Sequence, residues 1–127
     1  MKVELGPEWV PTTRGTYRHA TLDVRLHINP TQAPPIDANI ERTTQSVTGW
    51  PVDWLEDRVS LATGGIEHQL LARYHIFDSV EIVMVAGPAD QIAAHRSELE
   101  TVILSGRHDW SGQVACLSQL LADVDPE

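Results

Sequence analysis

The stretch Arg58–Arg107 does most to limit what this chain can fold into. Val59, Leu61 and Thr63 alternate with Arg58, Ser60 and Ala62, and Gly64-Gly65 follows at once. A glycine pair between alternating runs signals a hairpin, because both residues accept positive φ without steric cost. With that pair as the loop, Thr63 faces Ile66, Leu61 faces His68 and Val59 faces Leu70. Ile66, Leu70, Ala72, Tyr74 and Ile76 then share one face, and Glu67, Gln69, Leu71, Arg73, His75 and Phe77 share the other. Asp78-Ser79 reads as the next turn. Val80–Ala86 is apolar at both parities apart from Glu81, the pattern of a strand covered on both sides. Gly87-Pro88 ends it. Ile92, Leu99, Val102 and Ile103 then form the stripe of a helix over 90–104, capped by Asp90 and stopped at Ser105-Gly106.

The residues before this block read as lead-in strands and a first helix. Val3, Leu5, Trp9 and Val10 surround Gly6-Pro7, which fits a short edge strand or an extended lead-in but no central strand. Arg14-Gly15 is a turn. Leu22, Val24, Leu26 and Ile28 alternate with Thr21, Asp23, Arg25 and His27, predicting one strand over 17–28 that stops at Asn29-Pro30. Ile36, Ile40 and Val47 predict a helix over 36–48, with Pro35 at its start and Gly49 at its end. Trp50–Leu55 reads as a connector. After the block, Val114, Leu117, Leu120, Leu121 and Val124 predict a C-terminal helix over 111–124. The sum is a single α+β domain over 1–127, with its core in 3–105. Its mainly antiparallel sheet is expected to carry helices on both faces, an α/β/α sandwich.

Charge narrows the partners. The formal net charge is −9, which argues against nucleic acid or an anionic membrane surface and fits a basic protein partner. Cys116 is the single cysteine, so no intrachain disulfide can form. The opening residues lack the apolar core of a leader, and the longest apolar run, Ile82–Ala86, is far below membrane-spanning length. A cytoplasmic location is expected. The sequence leaves the oligomeric state open.

Catalytic signals are absent. The six histidines, His19, His27, His68, His75, His95 and His108, lack metal-ligand spacing, so neither a metal nor a cofactor is expected. Gly-x-Ser-x-Gly and phosphate-loop patterns do not occur, and adjacent His108-Asp109 does not make a relay. No catalytic residue is assigned. Two surfaces stand out instead. Trp50, Asp53, Trp54, Glu56 and Asp57 combine carboxylates with large aromatics, the composition of an acidic, aromatic-edged docking patch. His68 falls on an otherwise apolar strand face with Tyr74, which marks a candidate ligand pocket on the sheet. The first reading is a non-catalytic binding protein such as an adaptor, secretion-associated chaperone or immunity-type protein. The alternative is a small-molecule-binding protein or enzyme.

The predicted order is lead-in strand, strand, helix, hairpin, strand, helix. With Glu81-Ile82-Val83-Met84-Val85-Ala86 running into a helix that closes on Thr101-Val102-Ile103-Leu104-Ser105, it resembles the PsbP-like superfamily and its DcrB-like and LpqN-like bacterial branches. Leu5-Gly6-Pro7-Glu8-Trp9 is similar to the Pro-x-x-Trp opening of such domains. The resemblance spans 3–105 and implies an α/β/α sandwich used for binding, without catalytic machinery and with no residue-specific site to carry over. The thin first helix and the extra helix at 111–124 depart from the pattern.

Overall fold

The computed structural model describes residues 1–30 and 40–107. Seven strands form one antiparallel sheet: β1 (Trp9–Thr13), β2 (Thr16–His19), β3 (Arg25–Ile28), β4 (Arg42–Gln45), β5 (Pro51–Ser60), β6 (Ile66–Ile76) and β7 (Ser79–Pro88). Helices α1 (Ala89–Ala94) and α2 (Arg96–Ile103) follow. The spatial order is β1-β2-β3-β7-β6-β5-β4. Two meanders, β1–β3 and β4–β7, meet where β3 pairs with β7.

Period-two alternation gives the sheet two unlike faces. On one, Leu26, Val52, Trp54, Leu70, Ala72, Tyr74, Val83 and Val85 are buried against Ile92, Leu99 and Ile103 of the helices. On the other, Leu55, Leu71 and Met84 form a small cluster with Ile82. These two clusters explain why β7 is apolar at both parities. They also correct the expected architecture. Among the described residues the fold is dominated by its seven-stranded sheet and the two short helices lie on the Tyr74 face, in place of a sandwich with helices on both faces. The helix expected over 111–124 lies outside the described residues.

Four elements differ from the sequence reading, each for a local reason. The helix expected over 36–48 is replaced from Arg42 by β4, where β-branched Thr43 and Thr44 pair with Asp53 and Val52; its earlier part, 36–39, lies outside the described residues. The element order that carried the PsbP-like resemblance loses its first helix there. The strand expected over 17–28 is two strands, because His19 folds back and its Nδ1 accepts the Thr21 and Leu22 amides at 3.2 and 3.1 Å. Trp50–Leu55 is no connector: from Pro51 it is the first half of ten-residue β5, with Pro51 tolerated as the first residue of the strand. The single helix expected over 90–104 breaks at His95.

Register also shifts. Val59 pairs with Glu67 and Ser60 with Ile66, so the loop runs from Leu61 to Gly65 and closes with Leu61 N–H donating to Gly65 O at 2.8 Å. The next turn is Phe77-Asp78, between paired Ile76 and Ser79, with Phe77 held at φ 52°. The Arg14-Gly15 turn forms as expected between Thr13 and Thr16. A Cβ on Gly15 would sit 2.9 Å from Ile28 O, so only glycine lets this turn lie against β3.

Candidate functional site

Alternation along β5 divides the predicted docking patch. Trp50, Trp54 and Glu56 point to the helix-covered face, whereas Asp53 and Asp57 point to the opposite one. Trp54 is wholly buried, with the Arg42 guanidinium 4.9 Å from its ring centre. Trp50 is half-buried against the main cluster and meets Phe77 edge-on.

Glu56 is the hub of a polar network on the helix face. Its Oε1 accepts from Arg96 Nη1 at 2.9 Å and His68 Nε2 at 3.0 Å, and its Oε2 accepts from Trp54 Nε1 at 3.1 Å and from Arg96 Nη2. The hydrogen bond from Arg96 outweighs burial and, with Trp54 helping, pulls the Glu56 carboxyl down to about 2. Glu56 in turn raises the Arg96 guanidinium. Glu100 extends the network, pairing with Arg42 at 3.0 Å and Arg96 at 3.4 Å. A carboxylate held ionised, with both oxygens engaged, cannot serve as a general base near neutral pH. This network ties β4, β5 and β6 to α2.

The candidate pocket residues His68 and Tyr74 are both buried on this same face. The Tyr74 hydroxyl donates to Ile103 O at 2.5 Å and accepts from Gly106 N–H at 2.9 Å. Burial pushes that phenol up to about 12. His68 spends Nε2 on Glu56. Both side chains are buried, His68 at 4% and Tyr74 at 0% exposure.

Across the sheet, Asp53 Oδ2 accepts from His75 Nε2 at 2.6 Å and from Arg73 Nε and Nη2 at 3.3 and 3.2 Å. Burial raises the Asp53 carboxyl, but its bonds to His75 and Arg73 prevail and the net shift is downward. An oriented Asp–His pair is half of a nucleophile-activating relay. Among the described residues no hydroxyl hydrogen-bonds His75, so the relay lacks its nucleophile there.

A cleft of about 410 Å³ opens on this second face, at the β2–β3 end. Arg14, Thr16, Arg25, His27, Asn29, Glu67 and Gln69 supply its polar wall, with Met84 and Ala86 beneath. Sequence reasoning did not assemble it. The available signal was parity, since Arg25 and His27 both oppose the Leu26 face.

The outer edge of β5 is the other unusual feature. β4 covers only Pro51–Trp54, and the Glu41 amide donates to Trp54 O at 2.9 Å. Trp54 therefore faces β4, and Glu56, Arg58 and Ser60 point their backbone groups the same way, past its end. Among the described residues no strand pairs with them. The Arg58 amide is met instead by the Asp57 side chain at 2.8 Å. Val59, Leu61 and Ile66 stand exposed beside this edge.

Among the described residues no trio of His, Cys, Asp or Glu gathers to hold a metal, and no helix is long and apolar enough to cross a membrane. No family model, no curated protein and no solved structure matches the chain.

Proposed function

We propose that the chain is a non-catalytic binding protein that docks an extended, basic segment of a protein partner along the outer half of β5. The observation that carries this reading is that, among the described residues, no strand pairs with the outward backbone of Glu56, Arg58 and Ser60, beside exposed Val59, Leu61 and Ile66. A docked strand gains affinity from the backbone ladder and specificity from side chains that alternate between the two faces. Asp57 and Glu67 offer carboxylates on the second face, and the net charge of −9 steers a basic partner toward them. Self-pairing is disfavoured, because an antiparallel copy centred on Arg58 sets two guanidiniums opposite each other. The resemblance to PsbP-like domains, mostly binders, points the same way, and a cytoplasmic setting agrees with a single cysteine.

Selection from a display library of eight-residue peptides tests the reading. Segments alternating apolar residues with Lys or Arg are expected to be enriched, to bind more weakly as salt rises, and to protect the Glu56, Arg58 and Ser60 amides from exchange. Ser60→Pro, which removes an outward donor, is expected to abolish binding. Enriched peptides that bind Ser60→Pro as tightly as the parent chain refute it.

A further inference from the structure

We infer that the cleft on the second face is a binding site for a phosphorylated small molecule, its phosphate held between Arg14 and Arg25 with His27 beside it. The chain carries 9 Lys and Arg against 18 Asp and Glu, yet Arg14, Arg18 and Arg25 converge on one corner of the sheet. Arg18 and Arg25 stand directly opposite each other on β2 and β3. Like charges so placed destabilise a strand pair unless a counter-charge joins them. Among the described residues Glu67 answers, through its ion pair with Arg25. Arg14 and Arg18 make no ion pair among the described residues. Arg14 lines the cleft beside Arg25, and a phosphate dianion between them would give Arg14 a counter-charge and share Arg25 with Glu67.

Geometry fits the same ligand. Arg14 lies on a turn fixed to β3, where the Ile28 amide donates to Gly15 O at 2.7 Å, so the guanidinium springs from an anchored backbone. His27 lines the cleft with Nδ1 3.3 Å from Thr16 Oγ1. When that hydroxyl donates, Nε2 carries the ring hydrogen and is a donor. Burial first, then Arg25, lowers the His27 pKa, which favours the neutral ring as a hydrogen-bond donor to the ligand. Guanidiniums match phosphate oxygens in a planar, two-point fashion that ammonium groups do not. At about 410 Å³ the cleft is far larger than a phosphate alone, and Met84 and Ala86 give the rest of it an apolar floor. That shape calls for an organic body attached to the phosphate.

Titration of the full chain at fixed ionic strength, followed by amide chemical shifts, tests the assignment. Ribose 5-phosphate is expected to bind saturably, shift the Thr16 and His27 amides, and bind at least about fivefold more tightly than inorganic phosphate, while ribose alone does not bind. Arg14→Ala is expected to weaken ribose 5-phosphate roughly tenfold, the size of one charge-assisted hydrogen bond, with an unchanged melting temperature. Glu67→Gln, which removes the competing carboxylate and keeps an acceptor for Arg25, is expected to tighten it roughly threefold. Arg107→Ala, outside the cleft, is expected to change nothing. The assignment is overturned by absence of saturation, by Arg14→Ala and Glu67→Gln both leaving the affinity unchanged, by Arg107→Ala weakening binding as much as Arg14→Ala, or by succinate binding as tightly as ribose 5-phosphate.

Discussion

Replacing Glu56 with Gln is the most informative single change in the fold. The substitution keeps the shape of the side chain and removes its charge. Four hydrogen bonds converge on the carboxylate, from Arg96 twice, Trp54 and His68. A glutamine offers one oxygen to them and turns an NH2 toward the rest. The ordinary carboxyl value of 4.5 falls to about 2 in the folded chain. At about 1.4 kcal/mol per unit that difference corresponds to roughly 3 kcal/mol of stability at neutral pH. A second route gives a similar figure. Losing its acceptor leaves the buried His68 donor unsatisfied, at about 1–3 kcal/mol. Arg96 is 38% exposed and turns to water and Glu100, so its share is small. The expected loss is about 2–3 kcal/mol, or a drop of about 6–15 °C in melting temperature for a chain of this size.

The pH dependence separates this explanation from simple repacking. The folded-state value is depressed, so the unfolded chain takes up its proton first as pH falls. Stability from Glu56 is full above 4.5 and disappears as pH falls toward about 2. By pH 3.5 about 1.4 kcal/mol of the contribution is gone. Denaturant unfolding of parent and Glu56→Gln at pH 7 and pH 3.5 reads both numbers. The gap between them is expected to narrow by about half. A pH 7 difference under about 0.5 kcal/mol, or an equal gap at the two pH values, refutes the account of Glu56 as the ionic hub.

Two more changes test other parts of the structure. Tyr74→Phe removes the hydroxyl that joins Ile103 O and Gly106 N–H, and leaving both buried groups unanswered is expected to cost about 1–3 kcal/mol in thermal or denaturant unfolding; hydrogen exchange at Gly106 is expected to quicken with it. His27 has a depressed folded-state value with Arg25 and Glu67 as its charged neighbours, so the unfolded chain binds more protons and the parent gains stability as pH rises through and below 6.5. His27→Gln is expected to flatten that slope between pH 5 and 7, and an unchanged slope would count against burial as its cause.

The legible parts of the fold were those fixed by one local rule. Arg14-Gly15 needed only a glycine tolerant of positive φ, and the helix-facing set Leu70, Ala72, Tyr74 and Ile76 needed only period two. The misread parts were settled by distant partners. Gly64-Gly65 looked sufficient to set the hairpin, but the register follows the pairing of Trp54 with Ala72 and Leu55 with Leu71. Each of those pairs buries apolar surface on one face, and burial outranks the turn when the two disagree. Residues 42–45 became an edge strand because β5 offered a ladder, something no helical stripe count can register. His19 ended β2 through its own side chain, a capping role usually given to Asp or Asn.

The strand also separates residues that the sequence groups together. Trp50, Asp53, Trp54, Glu56 and Asp57 are close in sequence, but a strand sends neighbours to opposite faces. Trp54 is wholly buried and Trp50 half-buried, Glu56 is engaged by Arg96, and Asp57 lies beside the outer edge of β5, where it answers the Arg58 amide. The cleft shows the converse. Arg14, Thr16, Arg25, His27 and Glu67 are scattered through the sequence and meet because β2, β3, β7 and β6 are neighbours in the sheet. Tyr74, Trp54 and their partners fill the helix-covered face, and the two proposed sites lie elsewhere, one at backbone along the β5 edge and one at side chains on the second face. The two sites use different chemistry, a hydrogen-bond ladder and a cluster of guanidiniums, so Ser60→Pro and Arg14→Ala are expected to disable them one at a time.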